Sequence, residues 1–128
     1  MGKLSGTVLL VDDEIAYIKL IEKVVERLGL EVVGEASDGE EAVDLYRKLQ
    51  PDLLLLDVNM PVKNGQDALK EICGEFPGAF VIMMTAQREP QLISDCLVLG
   101  AADYVPKDRG LENISQAIVE IWERVKGG

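Results

Sequence analysis

The sequence predicts an α/β protein whose parallel β-sheet is covered by helices on both faces. Five short apolar runs lack a polar face, and segments with apolar residues at helical spacing separate them. Unbroken apolar runs are typical of strands buried on both faces. Strands that alternate with helices favour parallel pairing through right-handed crossovers. Polar residues also gather where these runs end.

The third run, Leu53–Leu56, is the clearest of the five. Its four leucines leave no polar face, and Pro51 and Pro61 leave too little length for a buried helix, the competing interpretation. Asp57 follows at the carboxyl end of the strand, where open α/β sheets place ligands and chemistry. Taken alone, such an aspartate more simply begins a turn.

The first half of the chain gives two more strands and two helices. A strand over Thr7–Val11 ends in the acidic run Asp12-Asp13-Glu14, and Val32–Val33 forms a short second strand. The helix between them ends at Gly29, which allows a left-handed stop. Its apolar stripe is Ile15, Ile18, Ile21, Val25 and Leu28. Asp38 lies in a turn that caps the next helix, with a buried face of Ala42, Val43, Tyr46 and Leu49.

The second half continues the alternation. Asn64-Gly65 opens a third helix, Phe80–Met84 is a strand that delivers Thr85, and Asp103–Pro106 is a strand that delivers Lys107. The helix between these strands begins at Pro90 and has an apolar set of Leu92, Ile93, Cys96, Leu97 and Leu99. The last helix shows a regular apolar stripe of Leu111, Ile114, Ile118, Ile121 and Val125. Residues 1–128 are expected to form a single domain.

Composition excludes several classes of function. The net charge of −10 repels phosphate backbones, so direct nucleic-acid binding is not expected. The sequence contains no histidine, which removes imidazole-based nucleophile pairs and zinc ligation. No apolar run approaches the ~20 residues that span a bilayer. Cys73 and Cys96 lie among apolar residues and are expected to be free buried thiols, which suits a reducing cytoplasm.

The strand ends bring chemistry-bearing side chains to one edge of the predicted sheet. They are Asp12, Asp13, Asp57, Thr85 and Lys107. Individually, the acidic run Asp12-Asp13-Glu14 could favour a helix N-terminus, Thr85 could be a cap and Lys107 a solvated loop residue. Together they indicate one chemistry. Clustered carboxylates need a cation between them, and hard oxygen ligands select Mg²⁺. A carboxylate beside such an ion can be phosphorylated, with a hydroxyl and an ammonium as donors to the phosphoryl oxygens.

On these residues the chain resembles the receiver domain of bacterial two-component response regulators, including the chemotaxis regulators. The matching motifs are Asp12-Asp13, Asp57 in Leu-Leu-Asp-Val-Asn-Met-Pro, Gly65, Thr85-Ala86 and Tyr104-Val105-Pro106-Lys107. The resemblance implies a flavodoxin-like (βα)5 three-layer sandwich whose five-stranded parallel sheet has the strand order 2-1-3-4-5.

The resemblance also implies a role for each site residue. Asp57 would accept a phosphoryl group from a histidine kinase or histidine phosphotransfer protein, and Lys107 and Thr85 would contact that group. Asp13 and Asp57 would bind Mg²⁺ through carboxylates and Asn59 through its backbone carbonyl, with Asp12 supporting through water. Thr85 and Tyr104 would form a switch that alters the face of the fourth helix, fifth strand and fifth helix, through which the chain binds an effector or dimerises.

Two positions depart from or modulate the family pattern. Asp108 follows Lys107 where receivers commonly have proline, so the loop that positions the ammonium is expected to run differently. Gln87 occupies a position that in this family modulates how long the phosphoryl group survives.

Three alternatives remain beside this interpretation. A haloacid dehalogenase-type phosphatase would carry a second carboxylate where this chain has Asn59. A flavin or nucleotide carrier would have a glycine-rich phosphate loop after the first strand, where this chain has Asp12-Asp13. A receiver-like interaction module that is not phosphorylated is disfavoured by the complete residue set. The expected protein is therefore not an enzyme acting on external substrates.

Overall fold

The computed structural model describes residues 4–86 and 89–127. The predicted alternation of strands and helices is confirmed throughout the described ranges. The strands are β1 Gly6–Val11, β2 Leu30–Ala36, β3 Leu53–Asp57, β4 Val81–Thr85 and β5 Asp103–Pro106. The helices are α1 Ile15–Arg27, α2 Gly39–Leu49, α3 Gly65–Glu75, α4 Pro90–Leu99 and α5 Leu111–Trp122, followed by a π-helical turn over Glu123–Gly127.

The strands form one parallel sheet in the order β2-β1-β3-β4-β5, as expected. The leucines of β3 pack into both faces of this sheet. Leu53 and Leu55 join the core under α1 and α5, whereas Leu54 and Leu56 join the core under α2, α3 and α4. This division explains why β3 has no polar position and gives the flavodoxin-like three-layer sandwich.

Strand β2 is longer than the predicted pair Val32–Val33. It pairs with β1 alone at the edge of the sheet, and its register shifts by a bulge where Val8 pairs with Val32 and Leu9 with Gly34. An edge strand tolerates exposed polar residues such as Glu31 and Glu35, which interrupt the apolar pattern. The sequence therefore showed only the apolar middle of this strand.

Helix α4 is less buried than its apolar pattern predicts. Of its predicted apolar set only Cys96 is buried, and Leu97 is 44% exposed; Val98, which lies outside that set, is 83% exposed. Periodicity identifies the face that can be covered, but α4 lies towards the edge strand β5, where little covers it. Leu111 and Val125, the first and last residues of the apolar stripe predicted for the last helix, are likewise exposed. Cys73 and Cys96 are free thiols, half-buried and buried respectively.

The loop between β3 and α3 is shaped by backbone constraints beside Asp57. The N–H of Gly65 donates to the carbonyl of Val58 at 2.8 Å, and a Cβ on Gly65 would lie 1.9 Å from the Asp57 carbonyl oxygen. Only glycine fits this approach. Val62 adopts φ +67° in a tight turn closed by Lys63 N–H and the Pro61 carbonyl, a conformation that a β-branched residue rarely takes. The segment after Asp57 is therefore held in a defined path.

Among the described residues, no helix combines the length and apolar character that crossing a bilayer requires.

Candidate functional site

Three carboxylates converge at the carboxyl edge of the sheet. Asp12, Asp13 and Asp57 each offer an oxygen, and these three atoms lie within 4.8 Å of one another. Asp12 and Asp57 are each only 4% exposed, whereas Asp13 faces solvent. The N–H of Asp12 donates to the Ala36 carbonyl at 3.0 Å, which fixes the end of β1 against β2. The three carboxylates that the sequence placed at one edge of the sheet therefore do lie close together.

Asp57 is held in an environment that disfavours its charge. Burial and the neighbouring Asp12 raise its pKa to about 7, against the lowering effects of Lys107 and of the Val58 N–H, which donates to Oδ1 at 2.9 Å. Positive charge brought to this carboxylate would favour its ionised form. The site thus suits a reaction in which a cation and a carboxylate act together.

Lys107 supplies an ammonium from the end of β5. Its N–H donates to the Thr85 carbonyl at 2.8 Å, and its side chain is only 9% exposed. The ammonium Nζ lies 2.8 Å from Asp12 Oδ2, 2.7 Å from Glu14 Oε1 and 3.8 Å from Asp57 Oδ1. Burial alone would lower its pKa, but the hydrogen bonds to Asp12 and Glu14 outweigh burial and raise it. The lysine is therefore charged whenever the protein is folded near neutral pH.

The chain turns at Asp108, where the Arg109 nitrogen lies 3.4 Å from the Pro106 carbonyl oxygen. The expectation that Asp108 makes this loop run differently from the family pattern stays a prediction. The ammonium nevertheless reaches the acidic cluster. Gln87, the other position singled out from the sequence, lies outside the described residues.

Thr85, Asn59 and Tyr104 lie around the cluster at different depths. Asp57 pairs with Met84, so Thr85 follows at the same edge, and it is buried. Asn59 is exposed, two residues beyond Asp57 in the loop that leads to α3. Tyr104 is half-buried, pairs with Met83 and packs against the core under α2, α3 and α4. Alternation along β4 places Thr85 on that same face of the sheet.

Sequence reasoning missed two residues of the site, Glu14 and Tyr17. Glu14 contacts Lys107 across 93 positions of sequence, and the ammonium also lies 4.5 Å from the centre of the Tyr17 ring. Burial raises the pKa of Tyr17 to about 12, and its hydroxyl has no hydrogen-bond partner among the described residues. Glu14 belongs to the acidic run that the sequence analysis noted, but only as a favourable charge at a helix start. No sequence signal pairs either residue with Lys107.

The donor set fits a hard divalent cation. Three carboxylate oxygens within 4.8 Å of one another can converge on one ion after small side-chain adjustments. No histidine or cysteine belongs to this group, so softer metals are not favoured. Burial first, and then repulsion by the neighbouring Asp12, raises the pKa of Asp57, and a bound cation would offset both effects. The arrangement therefore supports metal-assisted chemistry at Asp57.

Comparison with known proteins identifies the family. Residues 8–119 match the family described as the response regulator receiver domain. The chain belongs to this family. Protein CcdB of Bacillus subtilis is 40% identical over 114 residues, covering 89% of this chain and 95% of CcdB. The chemotaxis protein CheY of Thermotoga maritima is 34% identical over 121 residues, covering 94% of this chain and 98% of that protein.

Solved structures agree with this assignment. A chain of the CheX-CheY-BeF3-Mg+2 complex from Borrelia burgdorferi superimposes with a TM-score of 0.87 at 31% identity, covering 91% of this chain and 88% of that one. The response regulator domain of Thermotoga maritima CheB gives a TM-score of 0.85 at 28% identity, covering 95% and 96%. The protein is thus a receiver domain of two-component phosphorelay signalling. Neither the phosphatase nor the flavin-carrier alternative gains support.

The pKa of Asp57 predicts an unusual pH dependence of stability. Because the folded-state pKa of about 7 exceeds the ordinary 3.8, the folded receiver binds this proton more tightly than the unfolded chain. Its contribution to stability is therefore present at low pH and is lost as pH rises through about 7. With a chelator present to remove divalent metal, the free energy of unfolding of Asp57→Asn is subtracted from that of the wild type. This difference should fall as pH rises from about 3.8 to about 7 and then level off.

Chemical denaturation at a series of pH values measures this difference, and the subtraction removes contributions that the two proteins share. Added Mg²⁺ should stabilise the wild type most at the alkaline end, where Asp57 is ionised. A difference that is independent of pH would contradict the raised pKa.

Proposed function

We propose that Asp57 is the phosphoacceptor, receiving a phosphoryl group from a histidine kinase or a histidine phosphotransfer protein. The observation that carries this proposal is the convergence of an Asp57 carboxylate with two further carboxylates within 4.8 Å and with the Lys107 ammonium at 3.8 Å. An Asp57 oxygen would attack phosphorus, forming an O–P bond as the donor's N–P bond breaks and its electron pair returns to the imidazole.

We infer that the cation at this site is Mg²⁺. Asp13 and Asp57 would hold it through carboxylates and Asn59 through its backbone carbonyl, while the buried Asp12 supports it through water. When bound, the ion supplies the positive charge that offsets the acidic cluster and the incoming phosphoryl oxygens. Lys107 and Thr85 would contact the phosphoryl group, since both lie at the carboxyl edge beside Asp57. The chain would thereby catalyse only its own phosphorylation and dephosphorylation.

The output is inferred to be a change in a protein-binding surface. Tyr104 and Thr85 share a face of the sheet with α4, and α4 exposes Leu97 and Val98. The relative from Borrelia burgdorferi is described in complex with a second protein, which supports an effector-binding role here. The face of α4, β5 and α5 is the surface we assign to effector binding or dimerisation. The acidic charge of −10 favours protein partners over nucleic acid, and the kinase partner implies a cytoplasmic setting.

The relatives of this chain include proteins of different lengths. CcdB and CheY are almost fully covered by this chain, at 95% and 98% of their lengths. The chain spans 54% of the response regulator GacA of Pseudomonas aeruginosa and 32% of the protein-glutamate methylesterase/protein-glutamine glutaminase of Idiomarina loihiensis. Both a free-standing regulator and a receiver joined to an effector domain therefore have counterparts among them.

Phosphorylation at Asp57 is tested by intact-mass measurement. With Mg²⁺ and acetyl phosphate, the wild type should gain the mass of one phosphoryl group, and Asp57→Asn should gain none because it lacks the nucleophilic carboxylate. Asp44→Asn, which removes an exposed aspartate on α2, is the matched control and should be labelled like the wild type.

Labelling of Asp57→Asn at the wild-type level would remove the assignment. A wild type that takes no label under these conditions would favour the interaction module that is not phosphorylated. Steady turnover of an added phosphate ester would instead favour a phosphatase.

The metal requirement is tested at Asp13. Asp13→Ala should bind Mg²⁺ at least about tenfold more weakly in calorimetric titration, because a direct carboxylate ligand is lost. Its labelling by acetyl phosphate should fall in parallel. Asp44→Ala removes the same charge away from the site and should leave Mg²⁺ binding unchanged. Equal Mg²⁺ affinity in Asp13→Ala and the wild type would mean that the ligand set is wrong.

The switch is tested with a beryllofluoride phosphoryl mimic. In the wild type, NMR shifts should appear at Thr85, at Tyr104 and along the helix from Gln91 to Leu99, because the Thr85 hydroxyl moves towards the new oxygens. Thr85→Val keeps the shape but removes the hydroxyl, and it should retain shifts around Asp57 while losing those at Tyr104. Wild-type shifts confined to the surroundings of Asp57 would show that Tyr104 is a fixed core-edge aromatic.

A further inference from the structure

Lys107 does not contact Asp57 closely, although the proposed function assigns it to the phosphoryl group. Its ammonium makes short contacts to Asp12 at 2.8 Å and Glu14 at 2.7 Å, while Asp57 lies at 3.8 Å. An ammonium has three N–H donors, and two of them are used by these carboxylates. The ring of Tyr17, 4.5 Å away, lies beside the same ammonium. Lys107 is therefore engaged at the β1–α1 side of the crevice.

Glu14 is placed for this contact by the start of α1. It is the N-cap residue of α1, yet its side chain makes no capping hydrogen bond and reaches Lys107 instead. Its own N–H donates to Asp12 Oδ1 at 2.8 Å, while the other Asp12 oxygen accepts from Lys107. Asp12 thus anchors both partners of the ion pair. The Glu14 side chain is 65% exposed and covers the ammonium from the solvent side.

We propose that Glu14 is a positioning residue that holds Lys107 in a resting arrangement, away from Asp57, and that an incoming phosphoryl group must displace it. This inference rests on the proposed function of Asp57. The carboxylate of Glu14 and the phosphoryl oxygens compete for the position of the ammonium, because its short contact to Glu14 keeps it 3.8 Å from Asp57 Oδ1. The exposed Glu14 partner can yield, since exposed ion pairs are weak, whereas the buried Asp12 partner stays beside the site. Glu14 would thereby set how strongly the receiver takes up a phosphoryl group.

Two substitutions separate the contact from the charge. Glu14→Gln removes the charge, whereas Glu14→Asp keeps the charge but shortens the side chain by one methylene so that it no longer reaches Lys107. If Glu14 acts through contact, both variants should bind beryllofluoride in the presence of Mg²⁺ more tightly than the wild type, by roughly two- to fivefold. Glu112→Gln removes an exposed charge from the first turn of α5 and should bind like the wild type.

A second measurement reports on Lys107 in the metal-free protein, without any phosphoryl mimic. The ¹⁵N signal of a lysine ammonium is sharp when hydrogen bonds hold it and slow its hydrogen exchange. The Lys107 signal, assigned by its loss in Lys107→Arg, should be sharp in the wild type and in Glu112→Gln. It should broaden in both Glu14 variants. A role of Glu14 in α1 stability alone would not move this signal.

Several results would overturn the inference. Tighter beryllofluoride binding in Glu14→Gln but not in Glu14→Asp would show a general charge effect. Unchanged or weaker binding in both variants, or an ammonium signal that stays sharp in both, would mean that Glu14 does not hold Lys107 back. A wild type that binds no beryllofluoride would overturn the proposed function and the competition with it, while the ammonium signal would still report the resting contact.

Discussion

The ion-pair geometry around Lys107 is the interaction on which this site depends. Two carboxylates, Asp12 and Asp57, are almost completely buried at the end of a sheet whose interior is apolar. Buried carboxylates are costly unless positive charge compensates them. The Lys107 ammonium supplies such charge, but it lies much nearer Asp12 than Asp57. Compensation is therefore unequal, and burial together with the neighbouring Asp12 raises the pKa of Asp57 to about 7 although Lys107 lowers it.

The unequal compensation of Asp12 and Asp57 determines which partners Asp57 favours. A carboxylate that lacks full compensation gains from a divalent cation, and the three converging oxygens provide the place for one. Proton and metal then compete for Asp57, which links metal binding to pH. The same inequality leaves the Lys107 ammonium engaged by Glu14 and Asp12 more closely than by Asp57. Metal, proton and ammonium thus act on one carboxylate, and a change in any of them alters the others.

The sheet has two distinct faces, and the residues around the site divide between them. Lys107, Asp12 and Tyr17 adjoin the core under α1 and α5, whereas Thr85 and Tyr104 belong to the face under α2, α3 and α4. The Lys107 N–H bonded to the Thr85 carbonyl joins the ends of β4 and β5. Neighbouring strand ends therefore connect Asp57 to the face of the sheet that α4 covers. On α4 itself, Leu97 and Val98 are exposed.

The sequence by itself determined the fold class, the order of the elements and the group of residues at the carboxyl edge. It could do so because these features are local: the apolar run Leu53–Leu56 between Pro51 and Pro61 is too short for a buried helix, and Asn64 and Gly65 mark a loop and a helix start. Strand order came from the family resemblance, since apolar runs alone do not state their neighbours. The length of β2 and the exposure of α4 escaped sequence reasoning because cover by other elements decides them.

Only the tertiary structure decided which charges meet. Residues 14 and 107 are 93 positions apart, and nothing in either local sequence indicates a contact. The acidic run Asp12-Asp13-Glu14 divides into a buried carboxylate, an exposed one that lies beside Asp12 and Asp57, and an exposed one bound to the lysine. This division is set by where the backbone leaves β1. The raised pKa of Asp57 follows from the same placement, because burial and the distance to a countercharge exist only in the folded chain.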